Sequence, residues 1–327
     1  MTNKQIHESI KKYGSTCLAF SCTQEDLNYF CIEDGFIAYK RVKIFNKFTQ
    51  IAVLGDPICS EEKKFFLLKE FIRTYKNIFF VQITTNTKKH LENLKYKIHP
   101  FGPEFYINLN SYKISWKKKQ IKKSINWQKK NKLKIQEQLN CDPAYWEKFY
   151  SLQKKWKSKK KHVLTTHGFL NRPLLKKESD VRFFHIENNN QLISFLRCDP
   201  LYKNSKIFGY AISYIMYNPI IKKNLTYGII DQLISLLKKE KEIIYIALGV
   251  APYKNIYPPQ PNLYLSVFQK CLYHLGSYFY NFNNLNKFKS NLATKSTPTF
   301  FASKDFFPIK NILSTYCITI GLSPKNH

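Results

Sequence analysis

The chain carries the same order of segments twice, and this repeat limits the folds that it can adopt. Each half has short β-rich runs separated by polar or glycine breaks, then an amphipathic segment with helical spacing, then a buried apolar run. In the first half these are the runs at 17–20, 28–32, 36–42 and 50–54, the helix at 61–75 and the strand at 78–83. In the second half they are the runs at 181–186, 191–199 and 207–217, the helix at 225–239 and the strand at 243–250. The repeat predicts α+β units in tandem, with mostly antiparallel sheets and flanking helices.

The composition changes abruptly between the two halves. Residues 112–161 hold 17 lysines against three acids, a local net charge of +14 out of the +31 carried by all 327 residues. We therefore predict a first unit at 1–112, a basic helical connector at 113–161 and a second unit at 162–327. Further helices are predicted at 5–13, 87–94, 143–156 and 263–275, a strand at 104–109, and hairpin turns at 188–190 and 203–205. The apolar segment 312–322 is predicted to pack on the second unit, with docking on a membrane surface as the alternative.

A lysine-rich segment inside the connector has helical spacing. Ile121 and Ile125 lie one turn apart and give 115–130 one narrow apolar stripe, with lysine on the remaining faces. The net charge of +31 favours an anionic partner, namely tRNA, another nucleic acid or an anionic lipid surface. We predict that this helix binds phosphates, with a solvated linker helix as the alternative. The predicted phosphate-binding residues are Lys118, Lys119, Lys122, Lys123, Lys129 and Lys130.

The placement of the cysteines and the hydropathy of the chain indicate which cellular compartment and which kinds of site to expect. The eight cysteines include no C-x-x-C pair and no metal-ligand spacing, which predicts reduced thiols, a cytoplasmic protein and no metal site. The N-terminal segment lacks the apolar core of a signal peptide, and no run approaches the roughly 18 apolar residues that span a bilayer. A membrane partner is therefore expected to be met at its surface.

Arginines are concentrated in one segment of this lysine-rich chain. The sequence holds five arginines, and three of them fall within residues 166–202. These are Arg172, Arg182 and Arg197, and the acids among them are Glu178, Asp180 and Asp199. Because a guanidinium grips a carboxylate or phosphate in a fixed, two-pronged geometry, an ammonium does not replace it at such a site. The cluster predicts a functional site, with an ion-paired surface or strand edge as the alternative.

Short motifs in a fixed order resemble a known family. They are YG at 13–14, YFC-x4-FIAYK at 29–40, LGDPI at 54–58, FLNRPL at 169–174, ESDVRFF at 178–184, DPLY at 199–202, GYAIS at 209–213, LGVAP at 248–252 and FNNLNKFKSN at 282–291. With the lysine-rich helix, they are similar to the catalytic domain of phosphatidylglycerol lysyltransferases, the C-terminal part of the multiple peptide resistance factor, and to stand-alone relatives of that domain. The chain resembles this part without the membrane-spanning flippase.

The resemblance implies a fold and a reaction. The fold is a tandem of GNAT-like acyltransferase units. The reaction moves an amino acid from aminoacyl-tRNA onto phosphatidylglycerol or a related small hydroxyl or amine acceptor, and no cofactor is implied because the aminoacyl-tRNA is itself the donor substrate. The implied partners are aminoacyl-tRNA and an anionic phospholipid surface. We therefore expect a bacterial, cytoplasmic protein that is peripheral at the inner face of the membrane.

The resemblance also implies roles for single residues. Those expected at the reacting ester are Asp199, Tyr202 and Arg182. Four residues are expected to bind substrate. Glu178 and Asp180 would bind the ammonium of the amino acid or hold Arg182. Arg172 and Lys289 would bind phosphate. Asp56 is expected to shape its turn. His167 and His185 are candidate bases, but a single histidine is more often structural.

One part of the family pattern is missing. The lipid-modifying members carry Asp-x-x-Arg on the strand after the GY motif, whereas this chain has Tyr214 and Tyr217. The acceptor, the amino acid and the oligomeric state are therefore left open. One alternative function is an acyl-CoA-dependent N-acyltransferase, although the chain has no glycine-rich pyrophosphate loop. The other is a non-catalytic RNA- or membrane-binding module.

Overall fold

The computed structural model describes residues 1–44, 48–114, 118–139, 142–158, 168–170, 172–174, 178–221, 225–252, 282–306 and 308–319. Its helices are α1 (Asn3–Tyr13), α2 (Glu61–Thr74), α3 (Thr85–Asn93), α4 (Lys119–Lys130), α5 (Pro143–Ser158), α6 (Thr226–Leu237), α7 (Phe282–Leu292) and α8 (Ile309–Thr319). Its strands are β1 (Asn28–Ile32), β2 (Gly35–Ile44), β3 (Phe48–Leu54), β4 (Ile78–Ile83), β5 (Lys97–Asn108), β6 (Ile135–Gln138), β7 (Arg182–Asn188), β8 (Gln191–Lys203), β9 (Lys206–Tyr217), β10 (Tyr245–Val250) and β11 (Lys295–Ser303).

One sheet of 11 strands runs through the described part of the chain, in the order β1-β2-β3-β4-β11-β5-β10-β9-β8-β7-β6. Neighbouring strands are antiparallel except in two pairs, β3 with β4 and β9 with β10. A helix joins the strands of each parallel pair, α2 in the first and α6 in the second, because a parallel connection has to cross back over the sheet. An antiparallel run followed by a strand-helix-strand crossover occurs twice, which confirms the predicted α+β fold of GNAT-like units.

Strand β11 lies in the middle of this sheet, between β4 and β5. Helix α8 then packs on β2 and β3, where Asn311 Oδ1 accepts a hydrogen bond from Gln50 Nε2 at 2.9 Å and Ser314 Oγ donates to Gln50 Oε1 at 3.0 Å. The prediction that 312–322 packs on the second unit is therefore wrong for its described part. The unit boundaries at 112 and 161 stay a prediction, because the sheet continues without a break from one half to the other.

Helices cover both faces of the sheet. Along β3, Ile51 and Val53 pack under α2, whereas Ala52 and Leu54 pack under α1 and α8, as expected when successive side chains of a strand point to opposite faces. In the second half α4, α6 and α7 cover one face and α5 covers the other. None of the described helices is both long enough and apolar enough to cross a bilayer.

The lysine-rich helix α4 is fixed to the second half by its apolar stripe. Ile121 and Ile125 are buried in the same core as α6. Two polar side chains of α4 add to this contact, because Ser124 Oγ accepts a hydrogen bond from Gly228 N at 3.0 Å and Gln128 is buried beside it. The predicted helix and its apolar stripe are confirmed from Lys119 onward. Ser124 and Gln128 add polar contacts to the apolar contact with α6.

Two short segments differ from the sequence-based expectation. The run 17–20 is predicted as a strand, but the structure has a 3-10 helix at Ala19–Thr23, so the prediction is wrong. Leu18, Ala19 and Phe20 are all buried in one core, whereas a strand would place successive side chains on opposite faces. The four-residue β6 is not predicted, and the predicted helix at 263–275 lies outside the described residues.

Both predicted hairpin turns are present. Asn189 and Asn190 have φ angles of 49° and 58°, and Asn204 and Ser205 have φ angles of 51° and 60°. Two successive positive φ angles between antiparallel strands are the geometry of a type I′ turn, which asparagine tolerates better than most residues. These turns set the register of β7, β8 and β9, and thereby place the arginine-rich segment on the sheet.

Candidate functional site

Four charged side chains of the arginine-rich segment form a buried network. Arg172 binds Asp199 through two hydrogen bonds, from Nε to Oδ2 at 3.0 Å and from Nη2 to Oδ1 at 2.7 Å. Arg172 Nη1 donates to Glu178 Oε1, and Arg197 Nε lies 3.3 Å from Asp199 Oδ1. All four side chains are at most 5% exposed. Two positive and two negative charges thus compensate each other inside the protein.

This network ties the loop before β7 to the sheet. Arg197 Nη1 donates to Pro173 O at 2.7 Å, and Nη2 donates to Arg172 O at 3.2 Å. Burial works to lower the pKa of Arg172, but Asp199 and Glu178 outweigh it and raise that pKa. Burial lowers the pKa of Arg197. The arginines therefore hold backbone and carboxylates together in a region with little access to water.

One oxygen of the network has no hydrogen-bond partner. Glu178 Oε2 is buried and unpaired among the described residues. A buried carboxylate oxygen without a donor is costly, and an ammonium is one kind of donor that would satisfy it. By contrast, Nε, Nη1 and Nη2 of Arg172 all donate to carboxylates. The role expected of Glu178 stays a prediction, and Arg172 has little capacity left for phosphate.

Asp180 and Tyr202 form a second, separate group. Tyr202 Oη donates to Asp180 Oδ2 at 2.8 Å, and Lys11 Nζ of α1 lies 2.7 Å from the same oxygen. Burial works to raise the pKa of Asp180, but hydrogen bonds from Lys11 and Tyr202 outweigh it and lower that pKa. Burial and the neighbouring Asp180 raise the pKa of Tyr202, which therefore stays a donor. Asp199 and Tyr202, predicted together, thus lie in two different hydrogen-bonded groups.

Arg182 is occupied by partners of its own. Its Nε and Nη2 each donate to Glu137 at 2.6 Å, and its Nη1 donates to the two oxygens of Glu240 at 2.9 and 2.8 Å. The rings of Phe184 and Tyr210 lie 5.1 and 5.2 Å from its guanidinium carbon. Burial works to lower the pKa of Arg182, but the hydrogen bonds to both glutamates raise it. The structure thus places this predicted catalytic residue where it joins β6, β7 and the turn after α6.

Lys289 lies away from the arginines, on α7. Its side chain is buried, and Nζ donates to Val250 O at 2.8 Å. Burial lowers the pKa of Lys289 to about 8, although Cys17 and Glu104 act in the opposite direction. A phosphate would have to replace Val250 O as a partner, so the structure gives the predicted phosphate contact no direct support.

The neighbours of Lys289 are functional candidates that the sequence analysis does not predict. Tyr106 Oη donates to Glu104 Oε2 at 2.5 Å, and Gln82 Nε2 donates to Cys17 Sγ at 3.4 Å. Burial raises the pKa of Glu104 and of Cys17. The available signals in the sequence are a glutamine inside the otherwise apolar run at 78–83 and a glutamate inside the predicted strand at 104–109.

A small cleft of about 100 Å³ opens where β3 and β4 end. Asp56 lines it and accepts two hydrogen bonds from Thr84, from N at 2.9 Å and from Oγ1 at 2.7 Å. Asp56 therefore connects its own turn to the start of α3. The other lining residues are Tyr13, Ser15, Thr16, Pro57, Ile58, Cys59, Glu61, Lys64 and Asn86.

The lysines of α4 form one basic face, which we call the lysine face. It consists of Lys119, Lys122, Lys123, Lys129 and Lys130, all of them exposed. Lys118 differs, because it is half-buried and its Nζ donates to Asn291 O at 3.1 Å. Five of the six predicted phosphate-binding lysines thus face solvent together.

Two further expectations concern histidines as candidate bases and the presence of a metal site. His185 is buried, its Nδ1 has no hydrogen bond to any residue that the structure describes, and burial lowers its pKa. Its ring packs 5.4 Å from the ring of Tyr145, as a structural histidine would. His167 lies outside the described residues. Within the described ranges, no group of three or more His, Cys, Asp or Glu side chains could hold a metal ion.

Tyr214 occupies a core position on β9. Its ring lies 6.2 Å from that of Phe195 and 6.4 Å from that of Trp156. An aromatic core therefore surrounds one of the two positions at which this chain differs from the Asp-x-x-Arg pattern.

Comparison with known proteins assigns the family. A family model described as "Phosphatidylglycerol lysyltransferase, C-terminal" matches residues 7–303. The chain belongs to this family. A phosphatidylglycerol lysyltransferase of Bacillus subtilis (strain 168) is 22% identical over 294 residues, which are 86% of this chain and 32% of that protein. The chain therefore spans about a third of the length of this family member, and the resemblance seen in its motifs is confirmed.

Two solved structures share the fold of this chain. L-PGS from Bacillus licheniformis superposes with a TM-score of 0.79 at 18% identity, over 96% of each chain. The C-terminal domain of an Agrobacterium fabrum protein assigned as a lysylphosphatidylglycerol synthetase also has a TM-score of 0.79, at 13% identity, over 99% of this chain and 98% of that one. At these identities the likeness shows the fold alone.

Proposed function

We propose that this protein is an aminoacyl-tRNA-dependent transferase that moves an amino acid onto phosphatidylglycerol or a related small hydroxyl or amine acceptor. The observation that carries the proposal is the match of the family model over residues 7–303, which includes both halves of the sheet. The reaction needs a surface for the tRNA, a site for the ammonium of the amino acid, and a group that accepts the proton of the acceptor. The donor supplies the activated ester, so no cofactor enters the proposal.

The lysine face supports a tRNA donor. Lys119, Lys122, Lys123 and Lys130 are exposed on one side of helix α4, where their ammonium groups repel one another and attract an anion. A nucleic-acid backbone offers phosphates in series, and contacts to it add affinity without requiring a particular base sequence. We therefore assign the donor's backbone to this face, in the connector proposed at 113–161 between units at 1–112 and 162–327.

Glu178 supports an amino-acid site in the second unit. Its Oε2 is a buried carboxylate oxygen without a donor in the described part of the chain, while Oε1 is held by Arg172. A carboxylate fixed in this way is prepared to accept a hydrogen bond from an ammonium. The buried network of Arg172, Asp199 and Arg197 would then position Glu178 rather than react itself.

An anionic membrane surface is the proposed source of the acceptor. The net charge of +31 attracts anionic lipids as well as nucleic acid. We accordingly place the protein in the bacterial cytoplasm, peripheral at the inner face of the membrane. Vesicle flotation tests this placement, because phosphatidylglycerol vesicles should carry the protein upward at low salt and phosphatidylcholine vesicles should not.

The proposed function is tested by amino-acid transfer from tRNA to lipid. Purified protein is incubated with total tRNA charged with labelled amino acids, with vesicles of a bacterial lipid extract that contains phosphatidylglycerol, and with small-molecule metabolites. Label is measured in the lipid and water-soluble products. We expect labelled lipid that disappears when the tRNA is digested first with ribonuclease. Phosphatidylcholine vesicles are the control for the acceptor.

Other outcomes would point to the alternatives. Product formed from acyl-CoA, and not from charged tRNA, would indicate an N-acyltransferase. Salt-sensitive tRNA or vesicle binding that yields no product would indicate a binding module, provided that another enzyme of the family forms product in the same assay. Either result contradicts the proposal.

A further inference from the structure

The ammonium group of Lys289 is buried without an acidic partner. Its Nζ donates to Val250 O at 2.8 Å, and no Asp or Glu oxygen of the described residues lies within ion-pair distance. The residue is 9% exposed. A buried ammonium normally needs an opposing charge and acceptors for all its protons. This environment instead lowers the pKa of Lys289 to about 8, so that a larger fraction of the side chain is the neutral amine near neutral pH than for an exposed lysine.

The nearest acid of this cluster is already engaged. Tyr106 Oη donates to Glu104 Oε2 at 2.5 Å, and Gln82 Nε2 lies 3.5 Å from Glu104 Oε1. Gln82 also donates to Cys17 Sγ at 3.4 Å. Glu104 therefore acts on Lys289 through its charge and without direct contact. That charge works to raise the lysine pKa, and burial outweighs it and lowers the pKa to about 8.

The backbone around Lys289 is irregular on two strands. Gln82, in β4, has a φ of 57°, and Gly249, in β10, has a φ of 77° at a bulge in the pairing with β5. A side chain at Gly249 would begin 3.4 Å from Lys289 Nζ, so glycine keeps the space beside the amine open. Gln82 is strained at this φ, whereas glycine adopts a positive φ without cost. Strained residues such as Gln82 persist where the surroundings hold them, and they concentrate at functional sites.

The cluster adjoins the cleft at the ends of β3 and β4. Thr16 and Thr84 line that cleft, Cys17 follows Thr16 in the chain, and Gln82 precedes Thr84 by two residues. The amine on α7 therefore lies close in the fold to β4 and β10, which belong to different halves of the sheet. The cleft lies next to this cluster along the chain, and Cys17, Gln82 and Lys289 are not among the residues that line it.

We propose that Lys289 Nζ is the proton acceptor of the transfer reaction. The amine takes the proton from the acceptor's hydroxyl or amine as that atom bonds to the carbonyl carbon of the aminoacyl ester. When the bond from this carbon to the ribose oxygen breaks, the ammonium returns the proton to that oxygen, and the tRNA leaves with a free hydroxyl. This role rests on the proposed function and names the base that the reaction needs.

The test compares Lys289→Met with Lys287→Met, an exposed lysine on the same helix. The rate of a single turnover from charged tRNA is measured between pH 6 and 9.5, with hydrolysis in buffer subtracted. We expect the unmodified protein to gain rate with pH and to level off above the pKa of about 8. Lys289→Met should lose rate on the order of 100-fold and lose this rise. Lys287→Met should keep both.

The outcomes separate this proposal from the proposed function. If the unmodified protein transfers an amino acid but Lys289→Met is equally fast, or if the rate of the unmodified protein falls as pH rises through 8, then Lys289 is not the base and the function stands. If the unmodified protein transfers nothing at any pH, both proposals fail. Thermal unfolding of Lys289→Met checks its fold. If that variant does not fold, the pH profile of the unmodified protein can still overturn the proposal, because a rate that falls as pH rises through 8 excludes an amine base of this pKa.

Discussion

At the scale of single residues, the arginine-rich segment holds its charges in pairs. Arg172 and Asp199 meet through two parallel hydrogen bonds in the interior, a geometry that a lysine could not reproduce. This explains why arginine is kept here in a chain whose other cations are almost all lysine. It also means that the network contributes to the fold as well as to any chemistry of Glu178.

Substitution of Asp199 by asparagine should destabilise the protein strongly. Asp199→Asn leaves Arg197 without a carboxylate and leaves Arg172 with Glu178 as its one carboxylate among the described residues. Removal of one charge from a buried ion pair lowers the unfolding free energy by about 3–5 kcal/mol. Denaturant unfolding measures the change. The control is Asp305→Asn, an exposed acid, which should change stability by less than about 0.5 kcal/mol. Equal stability of the two variants would contradict the network.

The sequence predicted the members of this network better than their roles. Residue type and clustering were enough to select Arg172, Glu178 and Asp199, because clustered arginines with acids are uncommon in such a lysine-rich chain. The partners of Arg182 were not predictable, since Glu137 and Glu240 lie 45 and 58 positions away along the chain. The same holds for Lys289 of α7, whose neighbours come from β4, β5, β10 and the segment before the 3-10 helix.

At the scale of elements, α4 and α6 approach each other closely at one glycine. A side chain at Gly228 would begin 2.4 Å from Cδ of Gln128. That amide is fixed, because its Nε2 donates to Leu225 O at 2.7 Å and its Oε1 accepts from Gln232 Nε2 at 2.8 Å. The lysine face is therefore held at a fixed height above the sheet by a buried polar contact.

Substitution of Gly228 by alanine should loosen α4. Overpacking costs about 1–3 kcal/mol, which outweighs the gain of about 1 kcal/mol from better helix propensity. We expect a lower unfolding free energy and faster amide exchange in 119–130. Ser235→Ala, on the exposed side of α6, gains propensity without a clash and is the control. An increase in stability for Gly228→Ala would show that Gln128 moves freely.

Charge reversal on the lysine face should weaken tRNA binding in a salt-dependent way. For Lys119→Glu with Lys122→Glu and Lys123→Glu, the slope of log affinity against log salt should fall by roughly 0.7–0.9 for each phosphate that α4 no longer binds. The matched control reverses three exposed lysines of the first half, Lys69, Lys76 and Lys97. If both triple variants lower the slope equally, net charge explains binding and the lysine face does not.

Most elements could be predicted from periodicity, and the exceptions have physical reasons. β11 contains Pro298, which argues against a central strand. In the structure β11 pairs with β4 only from Phe300 onward, so Pro298 lies where one side of the strand has no partner and the missing N–H costs nothing. Whether a strand tolerates a proline at a given position thus depends on where the neighbouring strand ends, which the sequence does not reveal.

At the scale of the whole molecule, both halves depend on β11. Phe301 is 2% exposed and stacks on Phe79 of β4, with ring centroids 5.6 Å apart. Phe301→Ala should cost about 3–5 kcal/mol, and hydrogen exchange should quicken in β3 and β4 although these strands precede it by more than 200 residues. The control is Phe306→Ala, since Phe306 is 57% exposed. Exchange that quickens only in α7 and α8 would show that the first half is stable alone.

The place of β11 also bears on how the protein is made. β4 ends at residue 83, while the strand that lies beside it ends at residue 303. At about 5–20 residues per second, a ribosome needs on the order of 10–40 s to synthesise the chain between them. Throughout that interval the facing edges of β4 and β5 have no partner, and unpaired strand edges are sites of aggregation. The nascent first half therefore has to remain protected, by a chaperone or by its own transient structure, until its last strand has left the ribosome.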